Sequence, residues 1–124
     1  MSTNHTRSGG GGALPGVLEE ITDVAGREAA LRIALTHGGD DGWNVPARAG
    51  TRAGLELTML IGDAAAEKVM YHFGGSAIAV PLARRHLVVW MAERGRTVSE
   101  IARIMRISRR TARRYLKDEN EDRV

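Results

Sequence analysis

The stretch that decides the fold is TVSEIARIMRISRRTARRYLK, residues 97–117. Thr97 followed three residues later by Glu100 is a capping box, which starts a helix. Ser108 is a good N-cap for a second helix. Two short helices joined by a tight turn predict a helix-turn-helix. The residues expected on the inner faces are Val98, Ile101, Ala102, Met105, Ile107, Ala112, Tyr115 and Leu116.

A third helix is predicted just before this pair. Residues 82–95, LARRHLVVWMAERG, place Leu87, Val88 and Met91 on one stripe and stop at a glycine. In the turn that follows the next helix, Arg106 occupies a position that glycine often fills. Either this arginine adopts a backbone conformation that costs free energy, or the turn has another geometry.

The last helix, expected from about Arg109 to Lys117, carries its cations on one side. At about 100° per residue, five cations fall within an arc of about 140°, and the apolar residues lie on the opposite side. Five like charges without an interleaved acid repel one another, so a polyanion explains them better than solvent does. The planar guanidinium of arginine bonds both phosphates and guanine edges. The pattern therefore predicts binding to double-stranded DNA.

The N-terminal part of a recognition helix lies deepest in the major groove. We therefore assign Arg109, Arg110 and Arg113 to base edges. Phosphate contacts are assigned to four other cations and to the N-terminus of the helix that begins at Thr97. The predicted DNA-binding residues are Thr97, Arg103, Arg106, Ser108, Arg109, Arg110, Arg113, Arg114 and Lys117.

Charge is distributed unevenly along the 124 residues. Residues 1–83 hold 6 cations and 9 anions, residues 84–117 hold 11 and 2, and residues 118–124 hold 1 and 4. The net charge of +3 is thus the sum of −3, +9 and −3. This division indicates a basic DNA-binding module beside a mildly acidic body.

The acidic body contains an internal repeat. Residues 21–48 and 57–84 share eight identical residues when Gly26 is aligned with Gly62 and a one-residue length difference is allowed before Val45. Each copy predicts helical segments, a Gly-Gly stop, a short extended run and a proline that suits an edge strand. A strand this short needs a partner, either the other copy or another chain. The identical pairs are Thr22/Thr58, Gly26/Gly62, Ala29/Ala65, Ala30/Ala66, Gly38/Gly74, Gly39/Gly75, Val45/Val80 and Pro46/Pro81.

The combination of these features resembles the Mor transcription-activator family of phages and prophages. The resemblance rests on LPGVLEEITDVAG…HGG…VP, on IGDAAAEKVMYHFGGSAIAVP and on TVSEIARIMRISRRTARRYL, and it covers about residues 14–117. It implies a dimer that binds promoter DNA and recruits host RNA polymerase, and it implies a bacterial or phage origin. By the same resemblance, Ile78, Ala79, Val80 and Pro81 belong to the strand element used in dimerisation, and Ser108–Leu116 is the recognition helix.

We expect a mainly α fold, with a duplicated helix–Gly-Gly–short strand region followed by a C-terminal helix-turn-helix. The expected parts are a flexible arm (1–13), a dimerisation region (14–81, with repeats at about 14–48 and 54–81), a DNA-binding domain (82–117) and a disordered acidic tail (118–124). The copies either pair within one chain, so that a dimer needs another surface, or leave Ile78–Val80 to pair between chains. One short recognition helix reads few base pairs, which favours a dimer.

Several function classes are excluded or disfavoured. The absence of cysteine excludes disulfides, thiolate metal sites and thiol catalysis. No histidine pair has metal-binding spacing and no activated nucleophile is apparent, so we expect no enzyme, no metal and no cofactor. No apolar run is long enough to cross a bilayer and no signal peptide opens the chain, so we expect a cytoplasmic, nucleoid-associated protein without a membrane partner. A repressor, a packaging or recombination adaptor, and a protein–protein scaffold remain alternatives to an activator.

Overall fold

The computed structural model describes residues 12–123, and for residues 119–123 it describes the backbone course alone. The predicted mainly α class is confirmed. The expected flexible arm lies largely outside the described residues. The elements are α1 (Val17–Ala25), α2 (Arg27–His37), β1 (Trp43–Asn44), α3 (Arg52–Ile61), α4 (Asp63–Phe73), β2 (Ala77–Ile78), α5 (Arg84–Glu93), α6 (Val98–Met105) and α7 (Arg109–Arg123).

The chain forms two compact units. The first, Leu14–Ala83, holds α1 to α4 and both strands, and we call it the repeat unit. The second begins at Arg84 and holds α5, α6 and α7. The duplicated segment and the basic segment of the sequence therefore fall in different units.

Within the repeat unit, the two copies have the same local structure. Gly26 separates α1 from α2 with a φ of 99°, and Gly62 separates α3 from α4 with a φ of 91°. Residues with a side chain rarely adopt these angles, which explains the glycine at both positions. The amide of each glycine donates back to a threonine carbonyl, Thr22 at 2.9 Å and Thr58 at 2.8 Å. Each copy therefore contains two helices separated by a single glycine.

The two copies pair with each other inside one chain. Strands β1 and β2 are antiparallel, with Trp43 opposite Ile78 and Asn44 opposite Ala77. The amide and carbonyl of Val80 bond Asp40 and Gly39, each at 2.8 Å. Of the two arrangements left open by the sequence, the structure shows pairing within the chain.

The hydrogen bonds around this ribbon obey an internal twofold relation. Two pairs of backbone bonds between the copies are interchanged when the roles of the copies are exchanged. Such reciprocity is the geometry of an isologous dimer, built here from two segments of a single chain. The equivalent pairs are Gly39 N to Val80 O (2.8 Å) with Gly75 N to Val45 O (2.9 Å), and Val80 N to Asp40 O (2.8 Å) with Val45 N to Ser76 O (2.9 Å).

Burial in the repeat unit is not symmetric. In the first copy, α1 and α2 supply most of the fully buried large side chains, including Leu18, Ile21 and Leu31. In the second copy, α3 buries Gly54 and Leu57, and α4 buries Ala66 and Val69. Several large apolar side chains of α3 and α4 are left in solvent. The two copies share a backbone plan but present different surfaces.

The second unit packs three helices around a small apolar core. Leu87 and Val88 of α5, Ile101 of α6 and Ala112 of α7 are each at most 3% exposed. The predicted third helix starts at Arg84 rather than Leu82, and Leu82 is exposed. Across residues 12–123, no helix is long and apolar enough to span a membrane.

One expectation was wrong. The acidic segment 118–124 was expected to be disordered, but α7 continues through Arg123. The segment contains no glycine or proline to stop the helix. Extending an existing helix by one residue needs no new nucleation, and glutamate is a good helix former.

Candidate nucleic-acid interface

Helix α6 begins with the predicted capping box. The amide of Glu100 donates to Thr97 Oγ1 at 3.1 Å, and the amide of Thr97 donates to Glu100 Oε1 at 2.9 Å. The backbone hydrogen bond from Thr97 lowers the pKa of the Glu100 carboxyl below its ordinary value. The reciprocal bonds fix the first turn of α6, where backbone amides suit a phosphate oxygen.

The turn between α6 and α7 has a left-handed residue at its centre. Arg106 has φ 58° and ψ 45°, and it is the one non-glycine residue with positive φ among those described. The amide of Ile107 donates to the Ala102 carbonyl at 3.0 Å, the bond of a Schellman ending. Arg106 therefore adopts the costly left-handed backbone, which was the first of the two possibilities for this turn. Its side chain is exposed.

Helix α7 is capped by Ser108. The amide of Thr111 donates to Ser108 Oγ at 3.0 Å, and the amide of Ala112 donates to the Ser108 carbonyl at 3.0 Å. Next to this cap, Arg109 Nη1 donates to Ser99 Oγ over 3.5 Å. This long bond directs the first arginine of α7 towards the first turn of α6.

The two helices fit together because small residues lie where they meet. Ala102 is 7% exposed and Ala112 is fully buried, with Ile101 buried beside them. A larger side chain at either alanine would push α7 away from α6. This packing presents the opposite face of α7 to solvent.

The exposed face of α7 is strongly basic. Seven predicted DNA-binding cations lie on α6, the turn and α7, and every one of them is exposed. No acidic residue occurs between Glu100 and Asp118. Among the side chains of residues 12–118, none of these cations makes an ion pair. The seven are Arg103, Arg106, Arg109, Arg110, Arg113, Arg114 and Lys117.

Tyr115 distinguishes Arg114 from the other cations. The guanidinium carbons of Arg85 and Arg114 each lie 5.6 Å from the centroid of the Tyr115 ring. Arg85 also forms an ion pair with Asp118 at 3.6 Å. These contacts tie α7 to α5 and draw Arg114 towards the side of the domain.

Sequence reasoning missed the contacts made by Ser99 and Tyr115. Ser99 lies at the second position of α6, within reach of the α7 cap. Tyr115 was assigned to the core, but it is only half-buried and contacts two arginines. The contacts between Ser99 and Arg109 and between Arg85 and Tyr115 join residues that lie apart in sequence, so no local pattern indicates them.

The residues predicted for dimerisation lie in or beside the ribbon. Val80 is 2% exposed, Ile78 and Pro81 are half-buried, and Ala79 is exposed. The hydrogen bonds of Val80 are made within the chain. A dimerisation role for these four residues stays a prediction.

The repeat unit also contains a cavity of about 270 Å³. His37 stacks on Trp43 there, with ring centroids 4.4 Å apart, and Glu56 and Leu57 contribute to the wall. Burial lowers the pKa of His37, and the carboxylates of Asp40 and Glu56 oppose this shift. Across residues 12–118, no three His, Asp or Glu side chains are grouped as metal ligands.

Comparison with known families covers the basic unit. Residues 85–124 match the winged helix-turn-helix family. The chain contains a DNA-binding helix-turn-helix domain. No curated protein and no solved structure matches the chain.

The described part of the matched segment contains α5, α6, α7 and their connections. The exposed face of α7, the turn and the start of α6 therefore constitute the candidate DNA surface.

Proposed function

We propose that the protein is a sequence-specific regulator of transcription that binds double-stranded DNA through α7. The observation that carries the proposal is the cation face of α7. The arginines at its N-terminal end, from Arg109 to Arg114, are exposed, form no ion pair among the described side chains and begin at a helix start fixed by Ser108. A face of this kind supplies counterion release on phosphates and bidentate donors for guanine.

We further propose that it activates transcription of phage or prophage genes as a homodimer, with RNA polymerase of the bacterial host as a second protein partner. Support comes from the resemblance of residues 14–117 to the Mor family and from the single recognition helix in each chain. A second copy doubles the number of bases read and the number of phosphates contacted.

Selection of binding sites from random duplex DNA tests the DNA-binding part. We expect an enriched motif, and we expect it to contain two related half-sites. The affinity should fall steeply with salt, with a slope that corresponds to roughly five to eight phosphate contacts per domain. Failure to bind any duplex at low salt would refute the proposal.

Transcription in vitro from a promoter that carries the selected site tests the sign of regulation. Increased transcript in the presence of the protein supports an activator. Decreased transcript identifies a repressor that uses the same helix. Specific DNA binding without any change in transcript identifies an adaptor.

A further inference from the structure

The exposed apolar side chains of α3 form a stripe. Met59 is 87% exposed and Leu55 is 55% exposed, although both are large and apolar. Together with Arg52 and Gly62 they recur at i, i+3, i+7 and i+10, the spacing of one seam of a coiled coil. We call these four residues the α3 stripe. It lies on the side of α3 away from the buried Gly54 and Leu57.

The internal repeat shows that this surface is specific to the second copy. At the spacing of 36 residues that aligns Gly26 with Gly62, Leu55 corresponds to Glu19 and Met59 corresponds to Asp23. The first copy therefore carries carboxylates where the second copy carries exposed apolar groups. The first copy forms the same local structure with acids at these positions, so that structure does not require the apolar pair.

The strand ribbon is already paired within the chain, because β1 and β2 bond each other. The surfaces of the helices in the repeat unit are then candidates for holding a second copy. We propose that two chains dimerise through their α3 stripes, packed antiparallel about a twofold axis that crosses the exposed side of α3 at the level of Leu57. This inference rests on the proposed function as a dimer and names the surface that forms it.

Apolar pairing sets the register of the two helices. In an antiparallel arrangement centred near Leu57, Leu55 of one chain lies opposite Met59 of the other, and the reverse contact follows by symmetry. Gly62 then lies opposite Arg52, where the absence of a side chain leaves room for the long guanidinium. In this register, each of the four stripe residues lies opposite a stripe residue of the other chain.

Charge supports the same register. Arg52 is the first residue of α3, where a cation opposes the helix dipole, and its side chain is 94% exposed. Its contact with Glu56 is a 3.5 Å pair on the surface. In the antiparallel dimer, Arg52 approaches Asp63 of the second copy, an exposed carboxylate directly after Gly62. Arg52 at the start of each α3 thus meets Asp63 at the start of the other chain's α4.

Sedimentation of the full chain at micromolar concentration tests the surface. We expect the wild type to sediment as a dimer and the double variant Leu55→Glu/Met59→Asp to show a twofold lower mass. The double variant gives α3 the residues that α1 carries, so circular dichroism should show an unchanged helix content. A matched control is Tyr71→Ser, which removes an equally exposed apolar residue from α4 and should leave the dimer intact.

A charge exchange tests the register. Arg52→Asp and Asp63→Arg should each weaken the dimer at least tenfold at low salt, and the double exchange should restore it. A dimer that is unaffected by the stripe variants, but is lost in Ala79→Arg at the ribbon edge, would overturn the inference.

The two proposals fail in different ways. A wild-type monomer that binds duplex DNA refutes the α3 interface and leaves DNA binding in place. If the wild type is a dimer, the stripe variants are monomers and the wild type binds no duplex, the α3 interface is supported and the DNA-binding function is refuted. For a protein with both properties, the monomeric stripe variant should bind a half-site like wild type and lose cooperativity on the full site.

Discussion

Arg106 shows at the scale of one residue how this domain combines two requirements. The Schellman ending of α6 needs a residue with positive φ, and glycine meets that need without steric cost. The chain has arginine at this position with φ 58°. A left-handed backbone costs a residue with a side chain about 1–2 kcal/mol. In the proposed complex with DNA, the exposed guanidinium supplies a phosphate contact that offsets this cost.

Arg106→Gly should therefore move stability and DNA affinity in opposite directions. Relief of the left-handed backbone, reduced by the greater freedom of glycine in the unfolded chain, should raise the free energy of unfolding by about 0.5–1 kcal/mol. Loss of the cation should lower the salt slope of duplex binding by about 1. Chemical denaturation and salt titration measure the two effects. Arg106→Lys keeps both the charge and the backbone strain, so it should resemble wild type in both measurements.

His37 contributes a pH-dependent term to the repeat unit. Its imidazole stacks on Trp43, and burial lowers its pKa below the ordinary value of 6.5. The unfolded chain therefore binds a proton more readily than the folded chain does. The resulting stabilisation is complete above pH 6.5 and is lost as the pH falls through the lower pKa of the folded state.

The melting temperature of the repeat unit should accordingly fall between pH 7 and pH 5.5, and His37→Gln should flatten this dependence. Calorimetry across that range measures it. His72→Gln is the matched control, because His72 lies at the equivalent end of α4 and is exposed. Equal pH dependence in wild type and His37→Gln would contradict the assignment.

At the scale of an element, α7 carries on one face both the residues assigned to base edges and those assigned to phosphates. Arg109 is held near the start of α6 by Ser99, and Arg110 and Arg113 follow it along the exposed side. Lys117 lies about two helical turns after Arg109. The N-terminal cations should therefore read bases, while Lys117 should contact the phosphate backbone.

Arg113→Ala should lower affinity for the selected site by about 1–3 kcal/mol and relax the base preference at one position of each half-site. Lys117→Ala should weaken all sequences to a similar degree and reduce the salt slope by about 1. Binding to the selected site and to its single-base variants measures both. A loss of base preference in Lys117→Ala, with uniform weakening in Arg113→Ala, would show that the two roles are reversed.

Local patterns made the helix-turn-helix predictable. The capping box at Thr97, the Ser108 cap and the cation arc of α7 each depend on residues within a few positions of one another. The pairing of β1 with β2 was left open, because sequence does not show whether two complementary strands meet within a chain. The prediction that α7 ends near Lys117 is too short, because a run of acids does not stop a helix that is already formed.

At the scale of the whole molecule, the net charge of +3 is the sum of oppositely charged segments. The acidic segment forms the C-terminal end of α7, the helix proposed to bind DNA. Asp118 neutralises Arg85 at 3.6 Å. The remaining acids of the segment, Glu119, Glu121 and Asp122, continue the same helix. At low salt their charge should reach the basic face, because the screening length is about 30 Å at 0.01 M and about 10 Å at 0.1 M.

Neutralising these three acids as Glu119→Gln/Glu121→Gln/Asp122→Asn should therefore tighten binding to non-specific duplex at low salt. The gain should vanish as salt rises, because screening removes the repulsion between the acids and phosphate. Fluorescence anisotropy over a salt series measures both parts. The matched control, Glu20→Gln/Asp41→Asn/Glu67→Gln, removes the same charge from exposed positions of the repeat unit. Equal tightening in both variants would mean that total charge governs affinity, whereas an effect confined to the α7 acids would place their action at the DNA-binding helix.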